Sequence, residues 1–194
     1  MKRTLIIISV LLAFAYSATA QVRYTADTTK TVLQWKATKV VGGHTGKIEL
    51  KNGWIDWKRN SILSGAFIID MKTIRDEDLT DDKMKSTLEN HLKSDDFFGV
   101  EKYPETLLEI TSPVAFRKGE ALVNAFLTIK GVRQPVVFTA KVKEEGNELI
   151  FTAPVTVDRT RFGLKYGSGK FFANLGDKAI SDNFTVDVTL LVRK

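Results

Sequence analysis

From Val32 onward, apolar and polar residues alternate in one segment after another, and a single block of helical spacing interrupts them. In the last segment Phe184, Val186, Val188, Leu190 and Val192 fall on one side of an extended chain. Thr185, Asp187, Thr189 and Arg193 fall on the other, with Leu191 the exception. Half-apolar strands joined by short loops must bury their apolar sides against one another. That requirement favours an antiparallel barrel or sandwich over a parallel α/β sheet. A barrel of eight strands can hold one small ligand, so the pattern already leans toward binding.

The alternation predicts eight strands. The first runs through Leu33, Trp35 and Ala37 to the Val40-Val41-Gly42-Gly43 turn, and Lys47 to Trp57 and Ser61 to Met71 come next, split by the polar tip Lys58-Arg59-Asn60. The remaining five are Leu107 to Phe116, Ala121 to Ile129, Val136 to Lys143, Leu149 to Val157 and Ile180 to Val192, with Lys118-Gly119, Lys130-Gly131 and Gly146-Asn147 at the hairpin turns. Between Thr73 and Tyr103 the period changes: Met84, Leu88 and Leu92 share a helical stripe, Asp81 and Asp82 suit its positive end, and Thr80 is the expected N-cap. The fold expected from the residues is therefore all-β, an antiparallel barrel or sandwich of eight strands with a short helical insertion around residues 81–98.

Residues 1–20 read as a cleaved signal peptide, with Lys2 and Arg3, an apolar stretch from Leu5 to Leu12, and the small residues Ala18-Thr19-Ala20. The mature chain, residues 21–194, is expected to fold as one domain that is soluble after processing and resides in the periplasm or beyond it. The chain has no cysteine, which excludes a disulfide framework and a lipid on a cysteine. Setting Lys2 and Arg3 aside leaves 27 basic residues against 23 acidic ones, scattered rather than clustered, which argues against a nucleic-acid partner.

Enzymatic signatures are faint. There is no Gly-x-Ser-x-Gly and no thiol, and the two histidines, His44 and His91, follow no short zinc spacing; no metal site is expected. His91 reads as a helix-flank residue, whereas His44 either stabilises its turn or reaches a pocket mouth. The run Asp76-Glu77-Asp78 with Asp81-Asp82 lacks the glycine and closing glutamate of a calcium loop and reads as a solvated helix start. A long aromatic loop, Asp158 to Lys178, holds Phe162, Tyr166, Phe171 and Phe172 among four glycines, and either plugs one end of the barrel or lines a ligand site.

Four stretches in order resemble the YceI-like family: Tyr24 to Asp27 with Val32 to Thr38; Asn90 to Phe98 leading to Tyr103-Pro104; Leu127 to Val132; and Asp158 to Gly163. The Gly42-Gly43-His44 turn and the Tyr166 to Phe172 loop look like the branch found in Bacteroidetes. The resemblance implies a single extended, eight-stranded antiparallel lipocalin-like barrel, with the helical insertion against it and a tunnel for a long apolar molecule such as a polyisoprenoid, a quinone tail or a fatty amide. It implies an exported carrier or stress-linked protein with no shared catalytic residues to transfer. On this reading the tunnel or mouth residues are Trp35, Phe67, Leu127, Phe138, Phe162, Phe171 and Phe172, and the candidates for the ligand's polar head are His44, Arg159 and Lys165. The bound lipid is the only cofactor-like group expected, and transient membrane contact and a homodimer stay open. The competing readings are a lipid-modifying enzyme with His44 as acid or base, and an outer-membrane barrel.

Overall fold

Ten strands and one α-helix make up a computed structural model that describes residues 21–194; the expected signal peptide lies outside the described residues. In chain order they are β1 (Val22–Ala26), β2 (Val32–Lys39), β3 (Gly43–Lys58), β4 (Ser61–Asp76), α1 (Asp82–Lys93), β5 (Glu105–Ile110), β6 (Val114–Ala115), β7 (Glu120–Ile129), β8 (Val132–Glu145), β9 (Glu148–Asp158) and β10 (Ile180–Arg193). Every pairing is antiparallel. The order β3-β2-β10-β9-β8-β7-β5-β4, with β4 returning to β3, closes a ring of eight.

The two extra strands extend positions in that ring. β2 pairs with β10 as far as Thr189, and β1 then takes its place between β3 and β10, with Tyr24 opposite Ile55 and Ala26 opposite Val192. The turn between β1 and β2 crosses Leu191: Asp27 N–H donates to the Leu191 carbonyl at 2.8 Å, and Leu191 N–H to Thr31 Oγ1 at 3.4 Å. That cover explains why the residue that breaks the alternation is buried. The strand expected over 107–116 is split into β5 and β6, both paired to β4. Pro113 lies in the break and has no N–H to give the ladder.

Alternation becomes inside and outside. Along β7 Ala121, Val123, Ala125, Leu127 and Ile129 are buried, and along β9 Leu149, Phe151, Ala153, Val155 and Val157 are. At about 1.5–3 kcal/mol for each fully buried large apolar side chain, these inward rows supply most of the driving force for closing the ring. The hairpins are sharp because their tips accept positive φ: Arg59 and Asn60 at 46° and 58°, Lys130 and Gly131 at 50° and 75°.

The helix starts one residue later than expected. Asp81, not Thr80, is the N-cap, its Oδ1 accepting the Met84 N–H at 2.8 Å. It ends at Lys93, earlier than the 81–98 block, where the Ser94 hydroxyl donates to the His91 carbonyl at 2.8 Å. Of the expected stripe, Leu88 and Leu92 are half-buried while Met84, in the first turn, is 60% exposed.

Candidate ligand-binding cavity

The inward rows do not meet at the barrel axis. They leave a cavity of about 230 Å³ along it, bounded by residues from the ring strands, from Leu92 of α1 and from Phe97 and Phe98 just after it. Its wall is apolar: among the described residues, the hydroxyl or charged side chains on it are Thr31, Thr106, Ser181 and Arg159. The Trp35 indole N–H is bonded to the Arg75 carbonyl at 3.2 Å, so that ring too shows the cavity carbon rather than nitrogen.

Two glycines let the aromatic rings lie against the wall. Gly46 sits opposite Trp35 and Gly53 opposite Phe67 in the strand registers. A Cβ on Gly46 would come within 2.5 Å of Trp35 Cζ2, and one on Gly53 would overlap the Phe67 ring. The missing side chain is replaced by its neighbour's ring, which sets the bore at these levels.

One end of the cavity is a packed floor. Trp57, Phe116 and Phe151 form a three-way aromatic cluster with ring centroids 5.6–5.8 Å apart, and Phe151 faces the cavity from it. The other end is covered by α1, the Phe97-Phe98 pair and the loop after β9. In that loop Arg159 is buried and three of its donors are spent on backbone: Nε to Ser181 O at 2.9 Å, Nη1 to Leu164 O at 2.7 Å, Nη2 to Ile180 O at 3.1 Å. Burial pushes the guanidinium below its ordinary value, while the Asp182 and Asp158 carboxylates act against that push. Asp182 in turn is held below the usual carboxylate range by the Ser168 hydroxyl, then by Lys170 and Arg159. With three of its five N–H groups used, the guanidinium retains two.

The residues singled out from the sequence separate into two sets. Trp35, Phe67, Leu127, Phe138 and Arg159 line the cavity. Phe162 is buried beside it without lining it, and Leu164, fully buried, faces the cavity from the aromatic loop instead. Phe171 and Phe172 are 46% and 49% exposed. Their N–H groups both donate to the Ser168 carbonyl, and the resulting tight turn holds them outside the barrel with Lys165 Nζ 4.9 Å from the Phe171 ring centre. His44 does not line the cavity either; its Nδ1 is 3.1 Å from Asp78 Oδ2. His91 packs edge-on against Phe97 and Tyr166, at 5.0 and 4.6 Å, and so pins the helix end to the aromatic loop.

Sequence reasoning missed the contribution of Leu92, Phe97, Phe98, Ile180 and Ser181 to the covered end. The Phe97-Phe98 pair directly after Asp95-Asp96 was the available signal, since two adjacent aromatics at a helix exit need an apolar surface to cover.

A model of the YceI-like domain matches residues 24–192. A UPF0312 protein of Photorhabdus laumondii is 39% identical over 61 residues, which is 31% of this chain and 31% of that protein; the chain thus matches about a third of that relative's length. The fold is similar to BcnA of Burkholderia cenocepacia, with a TM-score of 0.69 and 18% identity over 86% of this chain and 98% of that one. It is also similar to a polyisoprenoid binding domain from Saccharophagus degradans implicated in plant cell wall breakdown, with a TM-score of 0.64 and 16% identity over 88% and 97% of the two chains. At such identities the likeness is one of fold.

Proposed function

This chain belongs to the YceI-like domain family, and from that premise we propose that it is a binding or carrier protein. It holds one long-chain apolar molecule, such as a polyisoprenoid, an isoprenoid quinone or a fatty amide, in the barrel. The cavity supports this reading: a long bore with an almost wholly apolar wall offers a hydrocarbon chain burial, and offers a polar or charged substrate very little. A structural neighbour whose name specifies polyisoprenoid binding points the same way.

Burial of a chain gains about 0.8 kcal/mol per methylene against water but little against a bilayer, the place such molecules otherwise occupy. Selectivity then comes from the length and width of the bore and from the groups that meet the head. Trp35 and Phe67 set the width, and Arg159 with Ser181 supplies hydrogen-bonding capacity at the covered end. We place the protein in the periplasm, exported by the segment at residues 1–20. Phe171 and Phe172, exposed beside Lys165 and Lys170, give it a surface for brief membrane contact. No observation favours His44 as the acid or base of a lipid-modifying enzyme, since it does not line the cavity and its Nδ1 lies against Asp78.

Solvent extraction and mass spectrometry of protein purified from its own host should release one long-chain apolar compound. Ala153, on the cavity wall, gives the companion variant: Ala153→Phe fills the bore and is expected to weaken uptake of a polyprenol at least tenfold while the circular dichroism of the barrel is unchanged. Protein that comes out empty and takes up neither polyprenols nor fatty amides would overturn the proposal.

A further inference from the structure

Three side chains meet at the rim beside α1, outside the cavity wall. His44 is the second residue of β3, Asp76 ends β4, and Asp78 lies on the strap that leads to the helix. One imidazole nitrogen and one oxygen from each carboxylate lie within 4.8 Å of one another. His44 Nδ1 is 3.1 Å from Asp78 Oδ2 and 3.8 Å from Asp76 Oδ2.

Asp76 is the unusual member. It is 0% exposed, its Oδ1 accepts the Leu79 N–H at 2.8 Å, and its Oδ2 is buried with no hydrogen-bond partner. A buried carboxylate oxygen left unmet costs about 1–3 kcal/mol or more. Here it points into the space bounded by His44 and Asp78, so whatever satisfies it sits there. The surroundings hold the two aspartates in place. Thr45 N–H donates to Asp78 Oδ1 at 2.6 Å, and Glu89 of α1 accepts the Asp76 N–H at 2.9 Å.

We propose that His44, Asp76 and Asp78 form a binding site for a divalent transition-metal cation of the zinc class. Two ligands about 2.0–2.1 Å from a tetrahedral ion stand about 3.3–3.4 Å apart, and the 3.1 and 3.8 Å separations bracket that value. An imidazole in a set of only three donors argues against calcium and magnesium, which take six or more ligands, nearly all oxygen. The His44 and Asp78 side chains are 24% and 36% exposed, so the ion can reach the site from solvent and has room for water as a fourth ligand. Bound there, it joins the start of β3, the end of β4 and the strap to α1, and so fixes the cover of the cavity.

Spacing carried no sign of this site, because His44 reaches the two aspartates only through the β3–β4 pairing, in which Gly46 lies opposite Asp76.

The test uses purified protein stripped with a chelator and desalted. Titration with zinc chloride should show saturable binding of one ion per chain with a rise in melting temperature, and cobalt chloride should give the visible absorption of a tetrahedral site. Calcium and magnesium should give neither. His44→Gln and Asp78→Asn, both at partly exposed positions, should each weaken zinc binding at least tenfold with little change in the metal-free melting temperature. Asp76→Asn should do the same and answers the orphan oxygen directly. No saturable binding by the wild-type chain at about 100 μM zinc, or binding that survives both His44→Gln and Asp78→Asn, would overturn the proposal.

Discussion

The two ends of the barrel are built differently. The floor is made of strand: Trp57, Phe116 and Phe151 pack ring to ring, β1 is laid across the gap that β2 leaves, and Arg23 of β1 clamps Asp56 of β3 with two 2.9 Å hydrogen bonds. The covered end is made of a helix and a loop held to the ring by side chains rather than by strand pairing: Arg159 donates to the Ser181 and Ile180 carbonyls of β10 and to Leu164 O, Glu89 of α1 accepts the Asp76 N–H, and His91 sits between two aromatic rings. Floors of this kind open only when the whole barrel unfolds, whereas helices and loops open locally at lower cost. Stability thus resides in the floor, and the covered end is the one able to open locally.

Trp57→Ala should show the largest effect. It removes the centre of the aromatic floor and is expected to cost about 3–5 kcal/mol of global stability in urea unfolding; a loss below about 1 kcal/mol would mean that the floor is not packed core. Arg159→Met should cost less, about 2–3 kcal/mol, since it strands three carbonyl acceptors that the loop cannot easily turn to water. Its signature is local: hydrogen exchange should quicken across residues 163–181 and leave the floor strands protected. Equal quickening at both ends would erase the distinction between them.

The smallest effect is a pH dependence at the floor. Arg23 holds the Asp56 carboxyl below the usual carboxylate range, against the upward push of burial and with help from Ser64. A carboxyl lowered by folding adds stability above its unfolded value of about 3.9 and gives it up as the pH falls through the lower folded value. The wild-type chain should therefore exceed Asp56→Asn in urea midpoint at pH 7, and the gap should narrow below about pH 4. A gap that stays constant down to pH 2 would show that the clamp acts by packing alone.

The strands of the ring were legible in the sequence because alternation is a local property: Val123, Leu127, Phe151 and Val155 declare their side without reference to any partner, whereas closure into a barrel rather than a sandwich rested on the family resemblance. The eight strand positions come from the alternation. Features that depend on register were not legible. Leu191 looked anomalous until the turn from β1 to β2 crossed it, and His44 found Asp76 and Asp78 only through a neighbouring strand with its own bulges. The aromatic loop misled for a different reason. The family reading placed Phe171 and Phe172 at the tunnel or its mouth, but a turn closed on the Ser168 carbonyl leaves both exposed, while Leu164 of the same loop lines the cavity.

The pairing of β2 with β10 has a kinetic consequence. A cask cannot hold its shape until its first and last staves are hooped together, and here those staves lie far apart along the polymer. Joining them requires nearly the whole polypeptide to be present, and the long excursion must be closed before any contact rewards it. Assembly on the millisecond-to-second scale, with truncated versions left open-edged and sticky, is the expected behaviour of such a vessel.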